Sequence, residues 1–492
     1  MHTPDPTMVA PSTSRRWLGL VLLCAVQFMV VLDISIVNIA LPSLQQDLGF
    51  AQQHLQWVIS GYGLTFGGFL MLAGRAADLF GRRRFFMLGL SLFAVASLAG
   101  GLATSQALLI GARALQGLGA AMVSPAALAL LTTTFREGEE RNVAMGIWGA
   151  VAAGGAAAGL LLGGVLTDQL GWEWVFFVNV PIAVFAAALA PILLAESRDR
   201  RAAGRLDVAG AATITGGLIL LVYGLTQAAD AGFGSVRALT VLGLAVALII
   251  VFGFVEGRVA DPLVPLHIFQ RRALTTANLV TLLLTAVIAS HGFFATLYLQ
   301  QVLDYSPVAT GLAFLPLTVT VMATAGFSSR FVGSIGPRTI VSVGMCLLGL
   351  GMLLMTRIAE GGSYVGILLP AFLVIALGMG MTFVTTTIVA TTGIMDDQQG
   401  LASGLINTAQ QLGSALGLAV MVSIAVARTD VLLMAGSPTP AALVGGFRWA
   451  FVACAALAAL AALIAFVGLR QEQGETIVAP AGAAIRTGRS QP

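Results

Sequence analysis

The sequence predicts an all-α integral membrane protein of fourteen transmembrane helices, arranged as two six-helix bundles with a two-helix insert. Three observations carry that prediction. The 492-residue chain is 58% hydrophobic and only 10% charged, against about 25% charged in a soluble domain. Its apolar residues come in runs of about twenty, the length that crosses a bilayer as helix. Its 25 basic residues, all arginine, collect in the short segments between alternate runs.

The first run follows Arg15 and Arg16 in the manner of a signal peptide. It extends from Trp17 to about Ala40, too long for a cleaved apolar region, and no small-residue cleavage motif follows, so it reads as a retained first helix. Further spans are expected near 54–73, 83–104, 106–133, 142–168, 174–195 and 208–228. Seven more are expected near 237–257, 273–302, 309–333, 338–358, 363–391, 400–428 and 447–469. An even count puts both termini on one side. If that side is cytoplasmic, twenty arginines fall inside, only Arg237, Arg357, Arg428 and Arg448 fall outside, and Arg113 stays within the membrane. That bias follows the positive-inside rule, so the chain is expected to be a multi-pass protein of the cytoplasmic membrane with both termini cytoplasmic.

Two polar stretches, 196–207 and 256–272, bracket spans 7 and 8 and leave six spans on either side. The expected organisation is an N-terminal cytoplasmic tail over 1–16, a six-helix bundle over 17–195, and linkers with two inserted helices over 196–272. A second six-helix bundle covers 273–469, and a C-terminal cytoplasmic tail covers 470–492. A weak internal repeat supports the division. The loop Gly74-Arg75-Ala76-Ala77-Asp78-Leu79-Phe80-Gly81-Arg82 after span 2 aligns with Ser329-Arg330-Phe331-Val332-Gly333-Ser334-Ile335-Gly336-Pro337 after span 10. Both follow the second helix of their half, as parallel repeats require, and Gly333 stands where Asp78 does.

Several function classes are excluded. The net charge of +3 comes from loop arginines that form no basic domain, so no nucleic-acid partner is expected. Cys24, Cys346 and Cys454 lie far apart in apolar spans and read as small buried hydrophobes. The chain has no P-loop ending in Gly-Lys-Ser/Thr, no Gly-x-Ser-x-Gly elbow and no Cys/His cluster. No enzymatic activity, cofactor, metal or ATP drive is therefore expected.

Asp33 is the acidic residue that lies well inside an apolar run. A carboxylate at membrane depth costs about 2.5 to 3.5 kcal/mol on insertion scales, so it needs a partner, a water-filled cavity or a proton. Arg113, in Arg113-Ala114-Leu115-Gln116-Gly117-Leu118-Gly119, cannot shed its proton and must be hydrated or paired. Gln116 shares its helical face. Gln116 and Asn38 are the candidates for lining a substrate cavity, although hydrogen bonding between helices also explains most intramembrane amides. The loop after span 2 sets Asp78, Gly81, Arg82, Arg83 and Arg84 against two helix ends, where charges can pair in one conformational state and separate in another. For Arg83 and Arg84, fixing topology is explanation enough. Gly155, Gly159 and Gly163 form a stripe in span 5 that permits close helix approach, and Ala409, Gly413 and Gly417 repeat it in span 13. His291, with no acidic partner within a turn, reads as a buried hydrogen-bonding group rather than a proton carrier.

These segments together resemble the major facilitator superfamily, and within it the fourteen-span drug:proton antiporter branch. Leu32-Asp33-Ile34-Ser35-Ile36-Val37-Asn38-Ile39-Ala40-Leu41-Pro42 is similar to that branch's span 1 signature, with serine for the usual threonine. Gly74 to Arg84 resembles the superfamily's loop motif between spans 2 and 3, which implies gating roles for Gly74, Asp78, Gly81 and Arg82. Arg113 to Gly119 resembles the span 4 motif assigned to proton coupling, and Trp172 to Pro181 resembles the start of span 6. One departure lies in span 5. The antiporter motif reads Gly-Pro-x-x-Gly-Gly, whereas here Gly159-Leu160-Leu161-Leu162-Gly163-Gly164 has leucine for proline, so the bend that proline favours is not imposed.

The resemblance implies proton-coupled efflux of small, mostly hydrophobic molecules by alternating access. The proton gradient would drive it, Asp33 and Arg113 would carry the coupling, and the chain would work as a monomer in the lipid bilayer. The competing readings are a nutrient or metabolite facilitator or symporter, a non-transporting membrane sensor or scaffold, and an integral membrane enzyme.

Overall fold

A computed structural model describes residues 13–135, 138–197, 207–231, 235–259, 262–264, 266–392 and 399–469. The C-terminal tail expected over 470–492, the first twelve residues and linker residues 198–206 lie outside that description. Fourteen helices among the described residues are long and apolar enough to cross a membrane. Spans 1 to 6 are Arg15–Leu48, Gln52–Phe80, Arg82–Gly101, Gln106–Thr134, Glu139–Gln169 and Trp174–Leu193; spans 7 and 8 are Val208–Ala228 and Val236–Glu256. Spans 9 to 14 are Arg272–Val302, Pro307–Ile335, Pro337–Met355, Tyr364–Thr391, Leu401–Met434 and Thr439–Gly468.

The expected count is met, but several helices outrun their apolar stretches. Span 1 continues through Pro42 to Leu48, past Gln45, Gln46 and Asp47. Hydropathy marks where a chain is apolar, whereas helical hydrogen bonding persists until something ends it, because unsatisfied backbone is costly near a bilayer. Gly49 ends span 1 with φ +66, and Gly436 follows the end of span 13 with φ +83, the backbone that glycine adopts most readily. Gly81 and Gly336 hold equivalent positions in the internal repeat, each with positive φ (113 and 87) at the break between two spans. Cys24 and Cys454 are buried as expected, but Cys346 is exposed on span 11, a correction that follows from its facing away from spans 12 and 14.

Spans 1 to 6 pack together, spans 9 to 14 pack together, and spans 7 and 8 pair with each other. Span 7 also lies against spans 2 and 13, one from each half. Leu218 and Val222 of span 7 share an apolar cluster with Leu64, Ala415 and Ala419, and Gln56 donates to Thr226 Oγ1 at 3.1 Å.

The apolar core is not distributed evenly through the thickness of the protein. Away from the termini, one continuous cluster joins the halves, running from Leu32, Ile36 and Phe176 to Phe293, Tyr298 and Phe372. Toward the termini the core divides. One cluster there belongs to the first half, with Leu23, Phe86 and Leu131, and another mostly to the second, with Leu274, Ala390 and Leu405. The halves are therefore sealed on the side away from the termini, while on the side that carries them their cores are parted, with Met71 of span 2 still lying against span 13 at Gly404.

Candidate functional site

Two buried charges, Asp33 and Arg113, come together in the first half, on one side of the apolar seal. Asp33 and Arg113 are 0% and 2% exposed, and Arg113 Nη1 lies 2.7 Å from Asp33 Oδ2. The other carboxylate oxygen accepts from Asn179 Nδ2 at 2.8 Å and from Gln116 Nε2 at 3.2 Å. Gln116 also donates to Ser97 Oγ at 2.8 Å, and its carbonyl accepts from Arg113 Nη1 at 3.0 Å. Arg113 Nε donates to the Val58 carbonyl at 2.9 Å, and the Tyr62 ring centre lies 4.4 Å from the guanidinium carbon. Spans 1, 4 and 6 thus meet at one carboxylate, and spans 2 and 3 hold its partners Arg113 and Gln116. The arrangement meets the requirement for burying a charge, namely a close opposite charge and hydrogen bonds to the remaining lone pairs.

Asp33, Arg113 and Gln116 were legible as intramembrane polar residues. Asn179 was legible only as one of several intramembrane amides, inside the span 6 segment quoted for its resemblance, and Ser97 was not singled out. The Tyr62 hydroxyl and Asn179 Oδ1 are buried with no hydrogen-bond partner. Asn38 is half-buried and donates to the Ile34 carbonyl of its own helix at 2.9 Å. Gln116 is fully buried, with its amide directed at the charge cluster. His291 is buried as expected but makes no hydrogen bond at either ring nitrogen; its ring stands edge-on to Phe372, with centres 5.0 Å apart.

The span 5 glycines explain how the site is held. An added Cβ at Gly155 would lie 3.1 Å from the Phe28 carbonyl oxygen, one at Gly159 2.9 Å from that of Leu32, and one at Gly163 2.8 Å from that of Ile36. Two repeats of four residues run side by side, so span 5 rests on the span 1 backbone on either side of Asp33. Gly164 faces the other half: a Cβ there would sit 2.7 Å from the Pro307 carbonyl oxygen of span 10.

The loop after span 2 forms a second polar cluster. Arg82 Nε donates to Asp78 Oδ1 at 2.8 Å across the turn at Gly81, and Gly74 faces Pro125 of span 4. Glu196, which the sequence reading passed over, accepts from the backbone N–H of Arg83 at 3.1 Å and of Arg84 at 3.3 Å. The Arg82 N–H donates to the Ser197 carbonyl at 3.0 Å. The chain leaving span 6 therefore caps the N-terminus of span 3 with a carboxylate, which the helix dipole favours.

A family model described as Major Facilitator Superfamily matches residues 23–418. The chain is 42% identical to the puromycin resistance protein pur8 of Streptomyces alboniger, over 90% of this chain and 87% of that one. It is 39% identical to the cephamycin export protein CmcT of Amycolatopsis lactamdurans, over 90% of each. It is 37% identical to the tetracenomycin C resistance and export protein of Streptomyces glaucescens, over 85% of this chain and 77% of that one. Among solved structures, a bacterial homolog of the human lysosomal transporter Spinster, in an inward-facing and unoccupied conformation, superposes with a TM-score of 0.66 at 15% identity. That match covers 93% of this chain and 97% of the other. The peptide transporter POT in complex with sulfate gives 0.66 at 16% identity, over 91% and 94%.

Proposed function

The chain belongs to the major facilitator superfamily, and from that premise we propose that it expels small, mostly apolar molecules from the cell in exchange for protons. Antibiotic-like natural products are the favoured substrate class, because the relatives are named for resistance to, or export of, puromycin, cephamycin and tetracenomycin C. The observation that carries the coupling is the fully buried pair of Asp33 and Arg113, which with Asn179 ties spans 1, 4 and 6 to one carboxylate.

The arginine bias puts the termini, and with them the parted side, in the cytoplasm. In that orientation the described conformation is open inward, the state that takes up substrate. Asp33 is the proton site. To accept a proton its carboxylate must give up charge-assisted bonds to Arg113, and the guanidinium then keeps the Val58 carbonyl, the Gln116 carbonyl and the Tyr62 face as neighbours. Loading a proton thus loosens span 1 from spans 4 and 6, and span 5 must follow because its glycines rest on the span 1 backbone. Asn38 supplies a polar contact for substrate in the cavity, and Gln116 links that cavity to the ion pair. Asp78 and Arg82 pair on the open side and exchange partners when that side closes.

The test is active efflux of a fluorescent apolar dye, and of puromycin, from energised cells and everted vesicles. The protein is expected to move both against a gradient, with collapse of the proton gradient abolishing transport and Asp33→Asn doing the same. Concentrative efflux by the Asp33→Asn protein would remove the proton role. Dye equilibration without accumulation in the parent protein would favour a facilitator.

A further inference from the structure

We propose that Gln300 and Gln301, on a π-helical turn of span 9, form the hydrogen-bonded clasp that holds the side away from the termini shut. Their receptor is the end of span 1 around Pro42, which the helix runs through. Span 9 changes from α-helix to π-helix at Tyr298–Val302, closed by the Leu303 N–H to the Tyr298 carbonyl at 3.1 Å. Asp304 follows in the left-handed region, with φ 52, and is the non-glycine residue among those described with positive φ. Wide turns of this kind are uncommon and concentrate where a helix has work beyond packing. This one is anchored, because the Tyr298 hydroxyl donates to the Ala359 carbonyl at 2.7 Å.

The wider turn lets two consecutive side chains reach the other half. Gln300 Nε2 donates to the Ile39 carbonyl at 3.0 Å, and Gln301 Nε2 donates to Gln45 Oε1 at 2.7 Å. The other hydrogen bonds from side chains between the halves that are described, Ser60 to Ala415 and Thr408 to Gly67, are long at 3.5 and 3.4 Å. Pro42 lies between the two receptors. It lacks the N–H that would engage the Asn38 carbonyl, so that turn of span 1 is held by one hydrogen bond fewer. The distal end of span 1 can therefore change direction while the part bearing Asp33 keeps its place. Asp33 lies six residues from Ile39, about 9 Å along the helix axis, so the proton site and the clasp share one helix. Release of the clasp would let span 1 part from span 9 and open the far side.

The inference rests on the alternating-access reading, but its test does not need transport. Spin labels at Ala51→Cys and Gly361→Cys, both exposed on the sealed side, report the separation there. The protein is full-length, purified in lipid nanodiscs, with the three native cysteines replaced. The parent is expected to show mainly the short distance. Gln300→Leu with Gln301→Leu should raise the ratio of long to short distances about tenfold, as expected for two lost hydrogen bonds. Gln45→Glu with Gln301→Glu should open the same side by repulsion, and Gln45→Glu with Gln301→Arg should close it again. That rescue separates a clasp from general loosening. Unchanged distances in both opening variants would overturn the proposal, as would a complementary pair that stays open. A distance change without dye efflux would sustain the clasp while removing the export reading.

Discussion

At the scale of single residues, Asp33 and Arg113 stabilise the fold only as a pair. Arg113→Ala would leave a carboxylate at 0% exposure without its cation, and breaking a buried ion pair from one side costs about 3 to 5 kcal/mol. Thermal unfolding in detergent should show that loss. Asp33→Asn combined with Arg113→Gln should recover most of it while leaving efflux abolished, which separates folding from coupling. Asn179→Ala removes a 2.8 Å donor to Asp33 and should cost about 1 to 3 kcal/mol, with the proton dependence of efflux altered and dye binding retained. The sequence displayed Asp33 and Arg113 because a charge inside an apolar run needs explaining wherever it occurs. Asn179, Ser97 and Tyr62 carry no such mark. Neutral polar groups are common in membrane helices, and only the meeting of five spans makes these three into neighbours of the ion pair.

At the scale of elements, span 5 is a smooth rail laid on span 1. Gly159→Val would drive a branched side chain into the Leu32 carbonyl and the Ser35 Cβ, 2.9 and 2.7 Å from where its own Cβ must stand. Overpacking of that kind costs about 1 to 3 kcal/mol. The expected result is a lower unfolding temperature and a larger loss of efflux than of protein level. Gly149→Ala, where an added Cβ meets nothing within 4 Å, is the control and should be silent. The helix that carries this stripe runs unbroken from Glu139 to Gln169. Leucine in place of proline at 160 thus leaves a continuous helix, and the Leu160 carbonyl packs against Gly311 of the other half. The stripe was readable because glycines at intervals of four stand out; its partner was not, since carbonyls on span 1 leave no trace in residue identity. Glu196 was missed for a similar reason. A carboxylate just after a span looks like any solvated loop charge until the turn at Gly81 brings the start of span 3 to it.

At the scale of the whole molecule, runs of apolar residues displayed the fourteen spans, because bilayer thickness acts on local composition. Which side is sealed was not displayed, since a chain that alternates between two states must encode both. Span 7, wedged against spans 2 and 13, was likewise legible as an insert but not as a bridge between the halves. The uneven core has a further, electrical consequence. Water entering the parted side would conduct, whereas the apolar layer from Leu32 to Phe372 would insulate, so a membrane voltage would drop mainly across that layer. Asp33 sits at its boundary nearer the termini. When the protein turns over, the insulating layer changes sides, and the pair of Asp33 and Arg113, neutral as an ion pair and singly positive once Asp33 is protonated, would pass from one pole of the voltage to the other without travelling far itself. About 2.3 kcal/mol per charge at 100 mV would then act on the conformational step rather than on proton binding. Efflux in vesicles clamped to equal pH on both sides should still quicken with voltage, and a rate indifferent to voltage would remove this reading.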